Sequence, residues 1–333
     1  MTTGCNCLPR NVTFGECWAR DGLQSEEGIA STDEKLEVIK LLVEAGFRRI
    51  EVTSFAHSSY LPQFDDAEEL LRRVPRRDDV CYLALCLTPK AVDRAINSKW
   101  EGFGVDEVGM AISSSEAYSR VNVNRGRDEH KAVLEKMVGA ATEVGIAVNG
   151  AVANSFGCPI DGDVSVDEVI GLAKWWREHG ASKIGFGDTT GSANPKQVDN
   201  FLSRILSEGF SADEIVMHFH DTRGWSAANC MVALSHGITH LDSSLGGVGG
   251  QPKAGKALYH KGHGGNTCTE DLVGMLEEMG LSTGIDLEKM LKAGHRVEEI
   301  LGRRLRSNFL TAGPVPHAGI RYDKEIGIVE ARQ

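Results

Sequence analysis

Eight short runs of β-branched and apolar residues, each followed by polar, Gly or helical sequence, constrain this chain more than any other feature. The runs are VTFGE (12–16), RRIEVTSF (48–55), VCYLALCL (80–87), DEVGMAI (106–112), IAVNGAVAN (146–154), KIGFGD (183–188), IVMHFHD (215–221) and THLDSSL (239–245). Polar, Gly or Pro residues bound each one, as expected of strands. Helical patterns lie between them. TDEKLEVIKLLVEAG (32–46) has an apolar stripe, acids in its first turn and Gly46 as a C-cap signal. Residues 129–145, 166–180, 194–209 and 225–237 follow the same plan.

Strand–helix alternation repeated in this way implies a parallel sheet. Eight units in about 250 residues suit a closed α/β fold, the (β/α)8 TIM barrel. An open doubly wound sheet is the alternative, and the lack of a Gly-rich dinucleotide fingerprint after the first run weakens it. A Gly-rich stretch (246–265) follows the eighth run, and additional C-terminal helices are expected at 270–280 and 286–306. The tail from Ser307 carries few pattern signals, and GPVPHAG (313–319) reads as an irregular arm. The expected organisation is an N-terminal extension (1–11), a barrel catalytic domain (12–283) and a C-terminal helix and arm packed on it (284–333).

Composition narrows the class of function. With 41% hydrophobic and 25% charged residues, the 333-residue chain has the balance of a soluble globular enzyme. No apolar run reaches the roughly 18 residues of a membrane span. The first residues, MTTGCNCLPRNVTF, lack the apolar core of a signal peptide, so a cytoplasmic protein is expected. A net charge of −11 argues against a nucleic-acid surface. The eight cysteines are scattered, which suits free thiols in a reducing compartment, and Cys5-x-Cys7 is not zinc spacing.

In a barrel, residues at strand C-terminal ends and in the loops beyond them face the active site. Polar residues gather at that address: Arg20 and Asp21 after the first run, Glu51 in the second, Asp188 closing the sixth, His218 and His220 in the seventh, and Asp242 in the eighth. Residues i and i+2 of a strand share a face, so His218 and His220 would both point into the lumen. Two imidazoles so placed can share one divalent ion with a carboxylate, for which Asp21 is the candidate. The alternative is a pair of core histidines satisfied by backbone groups. Arg20 can neutralise a substrate carboxylate, thioester oxygen or enolate, or form an ion pair. A buried Glu51 must be paired, with Arg20 as the favoured partner, or do proton work. Asp188 is expected either to orient a ligand or to cap the next helix. The Gly-rich loop (246–266) is placed to cover substrate, with Asn266 at its end in reach of metal or substrate.

These residues also carry a family resemblance. ECWARDGLQSE (16–26) resembles the opening motif of 3-hydroxy-3-methylglutaryl-CoA lyases, and its RDGLQ is closer to these than to the RDGEQ of isopropylmalate and citramalate synthases. IEVTSF (50–55), Pro62-Gln63, LTP (87–89), GCP (157–159), GDTTG (187–191), HFHDTRGWSAAN (218–229), residues 231–250 and NTCTEDLVGMLEEMG (266–280) match in order, over roughly residues 12–300. The resemblance implies a (β/α)8 barrel, a homodimer, a divalent Mg or Mn ion and an acyl-CoA or hydroxy acid substrate. It implies Asp21, His218 and His220 as metal ligands with Asn266 beside them, Arg20 as the stabiliser of an enolate, and Glu51 and Asp188 as active-site acids. SSEAYSRVNVN (114–124) resembles a segment that helps hold CoA, through Asn122 and Asn124 and a less clear basic counterpart in Arg120. Gln24 of the opening motif is placed with the substrate-binding residues.

One position departs from the pattern. The lyases carry Cys in a G-x-G-G-C-P loop, where this chain has Gln251. An amide cannot act as an acid or a base near pH 7. The longer loop brings Tyr259, His260, Lys261 and His263, and His260 or His263 is best suited by pKa to replace the thiol as proton donor. The implied reaction is metal-dependent carbon–carbon cleavage of a hydroxy acyl-CoA, with Asp21 or a metal-site His as the base that takes the hydroxyl proton. The alternatives are a condensing synthase of the same superfamily that joins acetyl-CoA to a 2-oxo acid, and a non-catalytic barrel that binds a ligand after losing the loop Cys.

Overall fold

The computed structural model describes residues 8–250 and 265–317, together with the backbone of 320–323 and 327–330. Eight strands, β1 (Thr13–Glu16), β2 (Arg49–Ser54), β3 (Cys81–Leu85), β4 (Glu107–Ser113), β5 (Ala147–Ala153), β6 (Lys183–Asp188), β7 (Ile215–Phe219) and β8 (His240–Ser243), pair in chain order as a closed barrel. Every pairing is parallel, and β8 closes on β1 with Gly15 opposite Asp242. The TIM-barrel expectation therefore holds. The strands are trimmed by one or two residues at most ends because the ladder stops where the next strand no longer pairs.

The helices are α1 (Thr32–Ala45), α2 (Ala67–Arg73), α3 (Pro89–Trp100), α4 (Glu116–Val123), α5 (Arg127–Glu143), α6 (Val166–Glu178), α7 (Pro195–Ser207), α8 (Ser226–Ser235), α9 (Thr269–Glu278), α10 (Leu287–Leu301) and α11 (Asn308–Ala312). Local chemistry starts and stops them. Ser31 forms a reciprocal capping box with Glu34 at α1, and Asn194 does the same with Gln197 at α7. Thr88 caps α3 with Pro89 in its first turn. Gly46 ends α1 in the left-handed conformation at φ 103°.

Four helices, α2, α3, α4 and α11, were not anticipated. Two of them are only seven and eight residues long, too short for a strong periodic signal. The helix expected over 286–306 stops at Leu301, because Gly302 adopts a left-handed C-cap and Ser307 then caps α11. Residues 313–317 are irregular as expected, but the tail also contains an antiparallel pair of strands, β9 (Ile320–Asp323) and β10 (Gly327–Glu330).

The apolar core lies between strands and helices. Ile50 and Val52 of β2, Val108 of β4, and Val38, Ile39 and Leu42 of α1 are each fully buried in it. Alternation along β2 then sends Arg49 and Glu51 the other way, into the lumen. A register shift between Glu51 and Thr53 bends β2 beside Glu51. The helix α10 lies along α1, joined by Asp286 N–H to Ala45 O and by Arg296 to Glu37. All six described cysteines are free thiols.

Candidate active site and metal centre

Beyond Glu16, β1 passes into one wide turn of π-helix, Trp18–Gly22. Buried Trp18 anchors it from within, and Glu16 Oε1 accepts the Trp18 N–H at 2.9 Å. This turn carries Arg20 and Asp21 to the C-terminal mouth of the barrel. Arg20 Nη1 lies 2.5 Å from Asp21 Oδ1, and Arg20 Nη2 lies 2.7 Å from Glu51 Oε2. The favoured pairing of Glu51 with Arg20 is thus present. Burial works against the Arg20 charge, but Glu51 and Asp21 outweigh it and keep the guanidinium protonated. Gln24 Oε1 is a distant third acceptor, 3.5 Å from Arg20 Nη1.

His218 sits on β7 and His220 just beyond its end, where it bridges to Asn266. His218 Nε2 is 3.2 Å from His220 Nε2 and 4.0 Å from Asp21 Oδ2. One ligand atom from each of Asp21, His218 and His220 lies within 4.8 Å of the others. Asn266 Nδ2 donates to Asp21 Oδ2 at 2.7 Å and to Val248 O at 3.0 Å. Its Oδ1 is buried without a partner among the described residues. Gly249 permits this approach, since a Cβ there would fall 2.3 Å from Asn266 Nδ2.

These groups fit a divalent cation. Ligands of an octahedral hard ion stand roughly 3 Å apart at bond lengths of about 2.1 Å, close to the spacing of the two Nε2 atoms. The donors are two imidazoles, a carboxylate and an orphaned amide oxygen, a mixed nitrogen and oxygen set suited to such an ion. Burial opposes ionisation of Asp21, but Arg20, His218 and His220 together hold its carboxyl near 2. It therefore stays a carboxylate.

Asp188 closes β6 and is almost fully buried. Its Oδ1 accepts N–H groups from Ser192 at 2.7 Å and Ala193 at 3.1 Å, while Oδ2 has no partner among the described residues. The helix-capping expectation is corrected, because Asn194 caps α7 and Asp188 ties down the turn before it. Burial raises the Asp188 pKa to about 6, against those two hydrogen bonds.

Asn122 and Asn124 lie apart from this cluster, exposed on α4 and at its end. Asn122 lines a small cavity with Leu87, Ser113, Tyr118 and His130. Asn124 has φ 54°, a conformation asparagine tolerates, so backbone geometry already accounts for it. Arg120 pairs with Glu116 on the surface. Gln251, Tyr259, His260, Lys261 and His263 lie outside the described residues.

The structure adds residues that the sequence reading gave no role. Glu16 accepts N–H groups from Trp18 and Leu245, linking the Arg20–Asp21 turn to the loop after β8. Glu270 Oε2 accepts the Gly246 N–H of that same loop at 2.7 Å. Arg49 and Glu107 pair within the lumen. For Arg49 and Glu107 the available signal was a charged residue inside an apolar strand run, which alternation places in the lumen.

A nitrogen and oxygen donor cluster at the C-terminal mouth of a closed (β/α)8 barrel marks a metal-assisted barrel enzyme. Within that class the chain belongs to the HMGL-like family, whose model matches residues 11–297. It is 38% identical over 302 residues to the hydroxymethylglutaryl-CoA lyase YngG of Bacillus subtilis, covering 91% of this chain and 97% of that one. The crystal structure of the Bacillus subtilis HMG-CoA lyase superposes with a TM-score of 0.85 at 36% identity, over 92% of this chain and 98% of that one. An HMG-CoA lyase from Acinetobacter baumannii, in complex with coenzyme A and 3-methylmalate, gives 0.84 at 33% identity over 94% and 97% of the two chains. The chain is a carbon–carbon lyase of this family.

Proposed function

We propose that this lyase cleaves 3-hydroxy-3-methylglutaryl-CoA, or a close hydroxy acyl-CoA, to acetyl-CoA and an oxo acid, which is acetoacetate for the parent substrate. The observation that carries the reading is the meeting of Asp21, His218 and His220 beside an arginine held between two acids. Asp21, His218 and His220 would hold a Mg or Mn ion, with Asn266 at its side. Such an ion, when bound, acidifies a tertiary hydroxyl and fixes it against a neighbouring carbonyl.

The protein's own groups do the rest. Arg20 is pre-oriented by Glu51 and Asp21, so its cation meets the enolate that develops as the carbon–carbon bond breaks, without reorganising. With its carboxyl near 2, Asp21 suits ligation better than proton transfer near neutrality. Asp188, at about 6 and with a buried unpartnered Oδ2, is the acid best matched to take the hydroxyl proton. The enolate is then protonated by His260 or His263 of the loop that carries Gln251. Gln24, Asn122 and Asn124 contact the substrate, the two asparagines at its CoA portion. The coenzyme A complex of the Acinetobacter baumannii lyase supports an acyl-CoA ligand. A cytoplasmic homodimer completes the proposal; no described helix is long and apolar enough to cross a membrane.

The test is turnover of 3-hydroxy-3-methylglutaryl-CoA with Mg or Mn, followed by acetoacetate release. Metal-dependent cleavage that stops on chelation supports the proposal. Bound metal without cleavage overturns the substrate and points to another hydroxy acyl-CoA or to condensing chemistry. Absence of bound metal points to the non-catalytic barrel. Gln251→Cys is expected to raise turnover if the missing thiol limits it; no gain would assign the limit to another step.

A further inference from the structure

Below the Asp21–His218–His220 cluster the lumen holds a chain of ionisable groups from four strands. Arg49 of β2 donates from Nη2 to Glu107 Oε1 of β4 at 2.7 Å and from Nη1 to Asp242 Oδ1 of β8 at 2.8 Å. The other oxygen of Asp242 stands 3.4 Å from Nδ1 of His218 on β7. All four side chains are at least 83% shielded from solvent. The fourth neighbour gives way to them. Gly15 of β1 is the register partner of both Arg49 and Asp242. A Cβ at residue 15 would fall 2.2 Å from Asp242 Oδ1 and 2.6 Å from Arg49 Nη1. A glycine at this position is therefore what allows the pair to close.

We infer that Arg49 is a positioning residue, which acts through Asp242 to fix His218 in the tautomer that can bind a cation. The inference rests on the metal reading given above. A carboxylate only accepts hydrogen bonds, so the single N–H of a neutral His218 must face Asp242 at Nδ1. The lone pair then sits on Nε2, the atom that faces His220 Nε2 and Asp21. Arg49 settles which way Asp242 is turned. Its Nη1 claims Oδ1, so Oδ2 is the oxygen left for His218, and Glu107 holds the far side of the guanidinium. Carboxylate partners of metal-bound histidines typically change metal affinity about 10–100-fold when lost. Here that control would run one residue further, to a cation from another strand.

The arrangement predicts a particular outcome for Asp242→Asn, a change that preserves shape. Arg49 has only donors, so it takes the amide carbonyl and leaves the NH2 facing His218 Nδ1. That forces the proton of His218 to Nε2, the wrong atom for a cation. The measurement is Mn2+ affinity of the metal-free protein, from the EPR signal of free Mn2+, with 15N NMR of the histidine rings reporting the tautomer. The His218 signals are assigned with a His218→Gln variant.

The expected results are Nδ1–H for His218 in the unaltered protein and Nε2–H in Asp242→Asn, with affinity weakened on the order of 10–100-fold. In Arg49→Met with Asp242→Asn, the amide is free to turn, and affinity should recover at least severalfold over Asp242→Asn alone. A structural plug at the barrel floor has no reason to produce that recovery. Mn2+ affinity within twofold of the unaltered protein in Asp242→Asn overturns the inference, as does a double variant no better than the single one. If the unaltered protein binds no Mn2+, it is the metal reading that fails, and the tautomer seen by NMR still decides whether Asp242 orients His218.

Discussion

Asp21 shows how much a single side chain depends on its neighbours. Burial alone would neutralise it, yet Arg20 and the two histidines hold it ionised at about 2. Its meeting with His218 and His220 was legible from the RDGLQ motif and the lumen-facing histidines. Its pairing with Arg20 was not, because that depends on how one π-helical turn bends. His220→Ala should abolish divalent-metal binding, and unchanged metal content after purification would remove His220 from the ligands.

Glu16 presents the opposite case. Burial raises its carboxyl to about 8, despite hydrogen bonds from Thr269, Trp18 and Leu245. A group whose folded pKa is raised favours the native state most at acid pH. Its contribution is complete below the unfolded value near 4.5 and is lost as pH climbs through about 8. One such proton contributes a slope of at most roughly 1.4 kcal/mol per pH unit. Gln at this position can keep its carbonyl on the Trp18 and Leu245 N–H groups and its amide on Thr269. Glu16→Gln should therefore fold and lose much of the decline in stability between about pH 5 and 8. Denaturant melts across that window would show it, and an undiminished slope would assign the decline to other groups, with buried Glu270 at about 7 the next candidate.

At the scale of elements, caps rather than propensity set the boundaries. Gly46 was legible as the end of α1 because the apolar stripe stopped there. That it also packs on the segment leading into α10 was not, since the contact joins residues far apart in sequence. Gly46 has φ 103°, and a Cβ there would lie 2.4 Å from Gly284 O. Gly46→Ala should therefore destabilise the fold by more than about 1 kcal/mol, from backbone strain and a steric clash together. Ser31→Ala, which removes the capping box at the other end of α1, should cost about 1 kcal/mol. Equilibrium unfolding of both variants tests the pair, and a smaller loss for Gly46→Ala than for Ser31→Ala would contradict the contact with Gly284. The short helices α2 and α4 carry no legible period because about two turns hold too few apolar positions to show one.

At the scale of the whole molecule, the proposed cation joins distant parts of the chain. Its ligands come from the turn after β1, from β7 and the residue past its end, with Asn266 on the far side of the loop after β8. A ligand that binds only the folded state stabilises it by mass action. Adding Mn2+ to metal-free protein should raise the melting temperature by several degrees, and chelation should reverse the shift. An unchanged melting temperature at saturating metal would argue against a cation shared across the barrel.

By itself the sequence determined the eight strands and most of the helices between them, and with them the barrel and the end at which polar residues collect. Those features follow from local periodicity, which is written along the chain. It also indicated which residues face the lumen, because alternation in a strand depends only on near neighbours. Tertiary structure alone decided which buried polar groups meet: Arg49 with Glu107 and Asp242, and Asp242 with His218, in the lumen, and Glu16 with the start of the loop after β8. Those meetings depend on the register and closure of the barrel, where a shift of one residue between strands exchanges every partner across the lumen.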